Sequence, residues 1–550
     1  MSTPGMLYVT MQPKPGLPIP QFHEWYNNEH GPTRLRLPQI FPNGLRYRAT
    51  DGKTPEFLAA YDVTSMSHLQ TSTYTSLREN RSSREADTIG QVDVKRYFWD
   101  SVFAKESPLF VPLEQLTDDE AEGIVLLALE LKLTDAADAE PVSRQWLEEQ
   151  HVDMLSKIPG WLRSRVLRTS TLEVGAPVSF IALHEFAKAN ELGDVAQQPA
   201  AKTPGWEEEI AGKYATLASQ RQYSLFYVFG PAPRDLHNLS LLPSPQSTFV
   251  SADALTSTSN ADAAGPVITS YVTAPSDGLP IPYRLEGNPD PAAPTIAFCN
   301  SLLTSLHMWD AFVAILRAQR PQYRILRYDS RGRHALPAPV PATLDILADD
   351  LAALLAALRI PRLHALVGVS QGGATALRFA LKHPALLQTL VACDFNAASS
   401  PANTGAWKER IAMAESHFAD DEQAKTPVPG IRRLAEITVS RWFHPLTTAR
   451  QPQTVKWMED MVAANDVQGF RFGCQALWDY DMRPLMPACG VPALLVAGEG
   501  DGGGALVKAM KGFAGQLGEK GAEVVEVKEA GHLPMVENPA GFWEAVEGVL

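Results

Sequence analysis

The segment LHALVGVSQGGATALRFALKHP, residues 363–384, constrains the fold more than any other stretch of the chain. An apolar run ends at Ser370 and a helix-like pattern begins directly after it, so the segment predicts a strand, a sharp turn and a helix. Gly368 and Gly372 flank the serine, as a strained turn requires, because larger side chains would clash with the strand and the helix. The segment therefore predicts a nucleophile elbow.

The sequence around this elbow alternates between short apolar runs and longer amphipathic stretches. The apolar runs include PTIAFCNSL, YRILRYDS, LVACDF and PALLVAGEGD. Strand and helix patterns in alternation are typical of a parallel, doubly wound sheet. Residues 266–550 are therefore predicted to form one α/β domain.

A serine hydroxyl becomes a good nucleophile only beside a base, and the base needs a carboxylate to orient it. The motif GHLPMVENP places His532 in a loop after the strand-like AEVVEVKEA, and PALLVAGEGD places Asp501 just beyond another strand. The order Ser370, Asp501, His532 is that of α/β-hydrolases. Glu499 is a rival for the acid because it lies only two residues from Asp501.

The turn after TIAFC is the second feature that acyl transfer requires, because this fold draws one backbone donor of the oxyanion hole from that turn. It reads Asn300-Ser301-Leu302-Leu303. The other donor is the N–H of the residue after the nucleophile. The backbone N–H groups of Leu302 and Gln371 are therefore the predicted oxyanion hole.

Several spaced motifs of this half resemble those of 3-oxoadipate enol-lactonases and their α/β-hydrolase relatives: FCNSLLTSLHMWD, RYDSRGRHALPAP, GVSQGG, SRWFHP, DVQGFRFGCQALWDYD and PALLVAGEGD. The resemblance covers nearly all of residues 265–550. It implies the triad and oxyanion donors named above, a helical cap at about residues 400–484, and no metal or organic cofactor. A bulky residue stands where the family usually has glycine after NSL, so the pocket mouth is expected to differ. The side chains assigned to the substrate pocket are Leu303, Trp407, Trp442, Phe443 and Trp478.

The N-terminal half repeats a pattern of strand, helix, strand and strand. MLYVTMQPKPGLPIPQFHEWYNNEH, NGLRYRA and EFLAAYDV are followed about 120 residues later by IVLLALELKLTDAADAEPVSRQWLEEQH, PGWLRSRVL and SFIALHEF. Each copy then continues into an aromatic-rich strand pattern. Two ferredoxin-like α+β units are predicted, at residues 1–113 and 114–236.

Both copies carry the pattern Trp-x4-His near the end of the first helix, as Trp25 with His30 and Trp146 with His151. This half resembles the dimeric α/β-barrel superfamily, in particular its EthD-like branch, in which two such units pack sheet against sheet. Both units lie on one chain here, so the barrel can close internally or between chains. His30 and His151 mark a possible N-terminal site, with structural packing as the alternative.

The segment that joins the halves, residues 237–265, is rich in Ser, Thr, Ala, Pro and Asp, and is predicted to be a linker. The net charge of −14 opposes a nucleic-acid partner, since phosphate binding needs clustered cations. The four cysteines form no C-x-x-C pair, and no long apolar run indicates a membrane span. A cytoplasmic protein, possibly a homodimer, that acts on a small molecule is expected.

These features favour a serine hydrolase that opens a lactone or ester through an acyl-enzyme. One alternative keeps the fold and changes the reaction to carbon–carbon bond hydrolysis. Another makes the protein bifunctional, with an N-terminal barrel that isomerises or cyclises the substrate. A third makes the N-terminal half a non-catalytic dimerisation module.

Overall fold

The computed structural model describes residues 3–243, 248–260, 265–336, 340–418 and 428–550. The chain divides into two compact units. The first comprises Met1–Pro233 with Val250–Ala254, and the second comprises Arg234–Phe249 with Leu255–Leu550. Within the described ranges, no helix combines the length and the apolar composition needed to cross a membrane.

The first unit is a closed antiparallel barrel of eight strands, formed within this one chain. Each sequence repeat contributes four neighbouring strands, in the order β4-β1-β3-β2 and β8-β5-β7-β6, and the seams β2–β8 and β4–β6 join the repeats. The strands are β1 Gly5–Pro13, β2 Leu45–Ala49, β3 Phe57–Val63, β4 Val92–Glu106, β5 Val125–Leu133, β6 Trp161–Thr169, β7 Ser179–Phe186 and β8 Ala215–Val228.

Inner and outer faces alternate along each barrel strand, because successive side chains point to opposite sides of a sheet. Met6 and Tyr8 of β1 pack in the lumen, whereas Leu7 and Val9 pack outward against Trp25. All neighbouring strands are antiparallel, so β1 and β5, four places apart in the ring of eight, run in the same direction on opposite walls.

The helices of this unit lie outside the barrel, and the Trp-x4-His patterns fall on π-helical turns at Tyr26–His30 and Leu147–His151. A π-turn closes between residues i and i+5, which brings the paired rings together. Ring centroids are 4.9 Å apart for Trp25 and His30, and 5.2 Å apart for Trp146 and His151. The α-helices are α1 Ile19–Trp25, α2 Gly31–Leu35, α3 Ser72–Glu79, α4 Ser83–Gly90, α5 Asp118–Ala121, α6 Ala139–Trp146 and α7 Val152–Leu155.

The second unit contains a ten-stranded sheet in the order β20-β19-β16-β15-β13-β14-β12-β11-β10-β9. Its pairings are parallel from β20 to β14 and antiparallel from β14 to β11, as the strand–helix alternation predicted for the central strands. The strands of the unit are β9 Thr248–Val250, β10 Ser257–Ser259, β11 Val267–Thr273, β12 Pro280–Gly287, β13 Thr295–Cys299, β14 Arg324–Tyr328, β15 Leu363–Val369, β16 Leu387–Cys393, β17 His417–Phe418, β18 Val428–Pro429, β19 Ala493–Gly498 and β20 Glu523–Val527. A separate two-stranded sheet is formed by β17 and β18.

The chain between β16 and β19 forms a group of helices, α12 to α16, which corresponds to the cap predicted at about residues 400–484. The described part of the predicted linker contains α8, β9 and β10, and these two strands extend the sheet of the second unit. The helices of this unit are α8 Leu236–Ser240, α9 Asp310–Gln319, α10 Leu344–Ala357, α11 Gln371–Lys382, α12 Pro401–Glu415, α13 Gly430–Trp442, α14 Pro445–Arg450, α15 Pro452–Ala463, α16 Val467–Gly473, α17 Ala505–Ala514, α18 Pro534–Glu537 and α19 Pro539–Val546.

Candidate active site

Ser370 occupies the turn between β15 and α11 with φ 59° and ψ −120°, a backbone conformation that non-glycine residues rarely adopt. A Cβ atom at Gly368 would lie 2.1 Å from the carbonyl oxygen of Gly372, and one at Gly372 would lie 2.1 Å from that of Cys299. Both positions therefore require glycine. The strained turn is stabilised by the parallel strands around it, including a hydrogen bond from Ser370 N to Cys393 O at 2.9 Å.

His532 and Asp501 are held together beyond the neighbouring strands. The Nδ1 atom of His532 lies 2.7 Å from Asp501 Oδ2, and both side chains are largely buried. The imidazole stacks on Trp442 with ring centroids 5.5 Å apart, and the backbone N–H of His532 donates to the carbonyl of Trp442. These contacts fix the ring orientation that a general base needs.

Glu499, the rival for the triad acid, faces a different set of groups. Its Oε1 accepts from the backbone N–H of Glu529 at 2.7 Å, and its Oε2 pairs with Lys528 at 3.0 Å. Asp501, and not Glu499, is therefore the carboxylate within hydrogen-bonding distance of His532.

The predicted oxyanion turn packs directly against the elbow, since Gly372 touches the backbone of Cys299 and Asn300. Asn300 holds the turn by donating to the carbonyl of Tyr328 at 2.8 Å and accepting from Trp309 Nε1 at 2.9 Å. Among the described residues, no hydrogen-bond acceptor takes the backbone N–H of Leu302 or that of Gln371. Both donors are thus available to a developing oxyanion.

Leu303 has φ 72°, a left-handed conformation that glycine adopts more readily than leucine. The residue is buried, and its carbonyl accepts from Asn465 Nδ2 of the cap segment at 2.8 Å. The bulky side chain is retained at the cost of backbone strain, so it contributes packing that glycine could not supply.

Substitutions at Leu303 should therefore distinguish the stability that its side-chain packing contributes from the cost of its strained backbone. Leu303→Ala is expected to lower the free energy of unfolding by about 2–5 kcal/mol, because a buried leucine is truncated. Leu303→Gly loses the same packing but tolerates the positive φ, so it should be about 1 kcal/mol more stable than Leu303→Ala. Urea unfolding of both variants measures the difference, and a glycine variant less stable than the alanine variant would contradict this account.

Asp394 is a buried carboxyl that sequence reasoning missed. It follows β16 with φ 45°, its Oδ1 accepts from Gly498 N at 2.9 Å, and its side chain lies beside the triad acid. Burial, followed by the charge of Asp501, raises the pKa of Asp394 well above its usual range. A protonated Asp394 can donate a hydrogen bond to Asp501. A lone aspartate at a strand end gave no signal for this role.

The raised pKa of Asp394 predicts a pH-dependent cost in stability. The folded state binds this proton more tightly than the unfolded chain, so the contribution is most favourable below about pH 3.9 and declines as pH rises through the folded pKa. Asp394→Asn keeps a donor toward Asp501 and cannot ionise. Its free energy of unfolding relative to wild type should therefore increase with pH in this window. A difference that is constant with pH would contradict the assignment.

Glu537 is a second missed residue, although it lies within the quoted motif GHLPMVENP. Its Oε1 accepts from the backbone N–H groups of Gly531 and Leu533, at 3.0 and 3.2 Å. Its Oε2 accepts from His444 N at 2.6 Å and Thr447 Oγ1 at 2.9 Å. Glu537 therefore ties the histidine loop to the cap segment and acts as a positioning residue.

The residues expected to line the pocket lie in or against the apolar core beneath the cap. Trp442 and Phe443 are buried there with Leu303, and Trp407 and Trp478 are half-buried at its edge. Trp442 also stacks on His532, which places it in the site itself. The indole nitrogens of Trp407 and Trp478 are buried without an acceptor among the described residues.

The two candidate residues of the N-terminal unit are deeply buried between helix and sheet. His30 Nδ1 lies 2.7 Å from Glu85 Oε1, and burial, followed by Arg34, lowers the pKa of His30 to about 4. His151 Nδ1 lies 2.7 Å from Thr203 Oγ1, and burial lowers the pKa of His151 to about 3. The cavity beside His30 is about 10 Å³, enough for about one water. These contacts favour a structural packing role for both histidines over a role in a functional site.

Among the described residues, one group of side chains has the geometry to hold a metal ion, and it combines two residues of the candidate triad with Asp394. Asp394, Asp501 and His532 offer ligand atoms within 4.8 Å of one another. The Nδ1 atom of His532 and Oδ2 of Asp501 already contact each other, and Asp394 Oδ1 accepts from the backbone N–H of Gly498. The group is more simply explained as a hydrogen-bonded acid–base network.

Comparisons with known proteins cover the second unit. Residues 294–539 match the family model described as the alpha/beta hydrolase fold. The chain is 29% identical to 3-oxoadipate enol-lactonase 2 of Acinetobacter baylyi, over 52% of this chain and 98% of the relative. A crystal structure of the enol-lactonase from Burkholderia xenovorans is 29% identical, with a TM-score of 0.44, over 51% and 98%. A hydrolase structure from Pseudomonas aeruginosa is 33% identical, with a TM-score of 0.43, over 51% and 97%.

The family match begins at β13 and ends within α19, so it includes the elbow, the oxyanion turn, the cap and the His532 loop. The strand order of the central sheet and the position of Ser370 at the end of β15 agree with that fold. The C-terminal unit of this chain is therefore an α/β-hydrolase domain.

Proposed function

We propose that the protein hydrolyses a lactone or carboxylic ester through an acyl-enzyme formed on Ser370. The observation that carries this proposal is a serine held at φ 59° at the elbow, on the same sheet edge as a histidine oriented by a buried aspartate. The similarity to enol-lactonases supports a lactone or ester as the substrate class.

In the proposed mechanism, His532 Nε2 removes the proton of Ser370 Oγ as that oxygen attacks the substrate carbonyl. The backbone N–H groups of Leu302 and Gln371 stabilise the oxyanion. Protonated His532 then gives its proton to the leaving alkoxide or enolate. Water, activated by the same histidine, releases the acid and restores the serine. Asp501 keeps Nδ1 protonated throughout.

We also propose that the barrel is related to EthD-like proteins. Two four-stranded repeats, each with a Trp-x4-His pattern on a π-helical turn, support this relationship. Homodimer formation and a cytoplasmic location remain predictions from the sequence.

A fluorophosphonate probe with intact-mass spectrometry tests the serine assignment. Wild type should gain one adduct, and Ser370→Ala should gain none. Ser305, a buried serine that caps the turn at Leu306–Trp309, supplies a matched control, because Ser305→Ala should label like wild type. An adduct that persists on Ser370→Ala would refute the mechanism.

A further inference from the structure

The lumen of the N-terminal barrel opens at one end into a cavity of about 540 Å³. Small-molecule sites commonly have volumes of about 300–1,000 Å³. At the other end of the lumen, Leu113, Ala121 and Ile124 pack with Met6 and Leu126, near the starts of β1 and β5. The cavity is therefore a one-ended pocket, separate from the π-helical turns.

The strand register explains which side chains enter this pocket. Tyr8 and Thr10 of β1 pair with Tyr97 and Lys95 of β4, so all four share the inner face. On the opposite wall, Glu130 of β5 pairs with Ser219 of β8 and Ile181 of β7, and Ala128 pairs with Arg221. The polar groups therefore gather where β1 and β5 end.

The walls of the pocket are flat and aromatic. Tyr8 lies edge-on to Tyr97 with ring centroids 6.2 Å apart, and its hydroxyl lies near that of Tyr223. Trp99 and Ile181 also line the cavity. Walls of this kind favour a planar ligand, which stacks against rings and buries apolar area.

The charges of the pocket lie on separate walls. Arg221 is bound to Asp51 at 2.8 Å and to the carbonyls of Lys53 and Pro55, so it fixes the loop at the mouth. Lys95 and Glu130 form no ion pair with any described residue. Burial raises the pKa of the Glu130 carboxyl. An unpaired carboxyl in a cleft is costly for a fold and is characteristic of ligand sites.

We propose that this pocket is a second small-molecule site, which takes a flat aromatic or conjugated acid. The carboxylate of the ligand lies toward Lys95, its rings lie among Tyr8, Tyr97 and Tyr223, and a hydroxyl on its far side donates to Glu130. This function of the barrel is independent of the hydrolytic reaction at Ser370.

The probe that tests the proposal is 6-hydroxy-2-naphthoate, titrated into the full chain by isothermal calorimetry. Its analogues 2-naphthoate and 2-naphthol lack the hydroxyl and the carboxylate, respectively. We expect a Kd on the order of 10–100 µM for the hydroxy acid and about tenfold weaker binding of each analogue. No saturable binding below about 1 mM would overturn the proposal.

Substitutions in the pocket test the individual contacts proposed for the ligand. Lys95→Glu should weaken binding of the hydroxy acid about tenfold, whereas Lys188→Glu, the same charge change beyond the end of β7 at the closed end of the barrel, should leave it unchanged. Glu130→Met should abolish the preference for the hydroxy acid over 2-naphthoate. Ser219→Phe should block the pocket.

Ser370→Ala separates this site from the hydrolase, because it should bind the hydroxy acid as wild type does. Binding that is lost in Ser370→Ala, or that persists unchanged in Lys95→Glu and Glu130→Met, would refute the barrel site. Thermal unfolding of each variant identifies any change that merely disrupts folding, and Lys95→Glu, at an exposed rim position, remains decisive if Ser219→Phe does not fold.

Discussion

Ser370→Ala is expected to lower kcat for hydrolysis of 4-nitrophenyl acetate by about 10³- to 10⁶-fold, because no other group replaces the attacking oxygen. The alanine should accept the positive φ as serine does, so thermal unfolding should change little. The residual rate would come from substrate binding and from the oxyanion donors Leu302 and Gln371.

A control for this experiment is Ser330→Ala, which removes a hydroxyl elsewhere in the same unit, in the loop after β14. It should retain at least about half of the wild-type activity, since it removes only a half-buried hydroxyl outside the candidate triad. If the Ser370→Ala variant, with its mass verified by mass spectrometry, turned over substrate at the wild-type rate, the reaction would belong to another residue and Ser370 would not be the nucleophile.

Asp501→Asn is expected to reduce kcat by about 10³- to 10⁴-fold. An asparagine at this position can donate to His532 Nδ1 and thereby favour the tautomer that carries its proton on Nε2, which cannot accept the serine proton. The 2.7 Å contact between Asp501 and His532 makes this substitution severe although it changes almost no volume. Burst kinetics with 4-nitrophenyl acetate would locate the loss in acylation.

Glu499→Gln is the matched control, because it makes the same chemical change two residues away in a group that faces Lys528 instead. It should leave kcat within about twofold of wild type. A large loss in Glu499→Gln together with a small loss in Asp501→Asn would exchange the roles of the two carboxylates.

The elbow and the order of the triad could be predicted from sequence because each depends on local rules. Gly368 is required by its contact with Gly372 four residues away, and the acid and base follow their own strands. Gly372 is required by Cys299 on a neighbouring strand, but its fixed spacing from the serine makes it recognisable in the sequence. Asp394 could not be predicted in the same way. Its relation to Asp501 arises only when β16 and β19 pair across about 100 residues of intervening chain.

The barrel, too, could be predicted from the sequence only in part. The repeat predicted two four-stranded units and left open whether the barrel closes within one chain or between chains; in the structure, eight strands of this chain form a closed barrel. The polar end of the lumen could not be inferred, because the face that Glu130 occupies depends on the register of β5 against both β7 and β8. His30 and His151 belong to a repeated Trp-x4-His pattern, and the π-helical turns explain that pattern by ring packing.

Because the barrel closes within one polypeptide, its two repeats can change independently of each other. Thr10 and Glu130 are the sixth residues of β1 and β5, on opposite walls. In an assembly of two identical chains, any substitution appears on both walls at once, and a carboxylate would face its own copy. Fusion of the two copies frees each to diverge alone, so one wall can become acidic while the other stays neutral. A symmetric ancestor could thereby acquire a ligand site with a defined polarity.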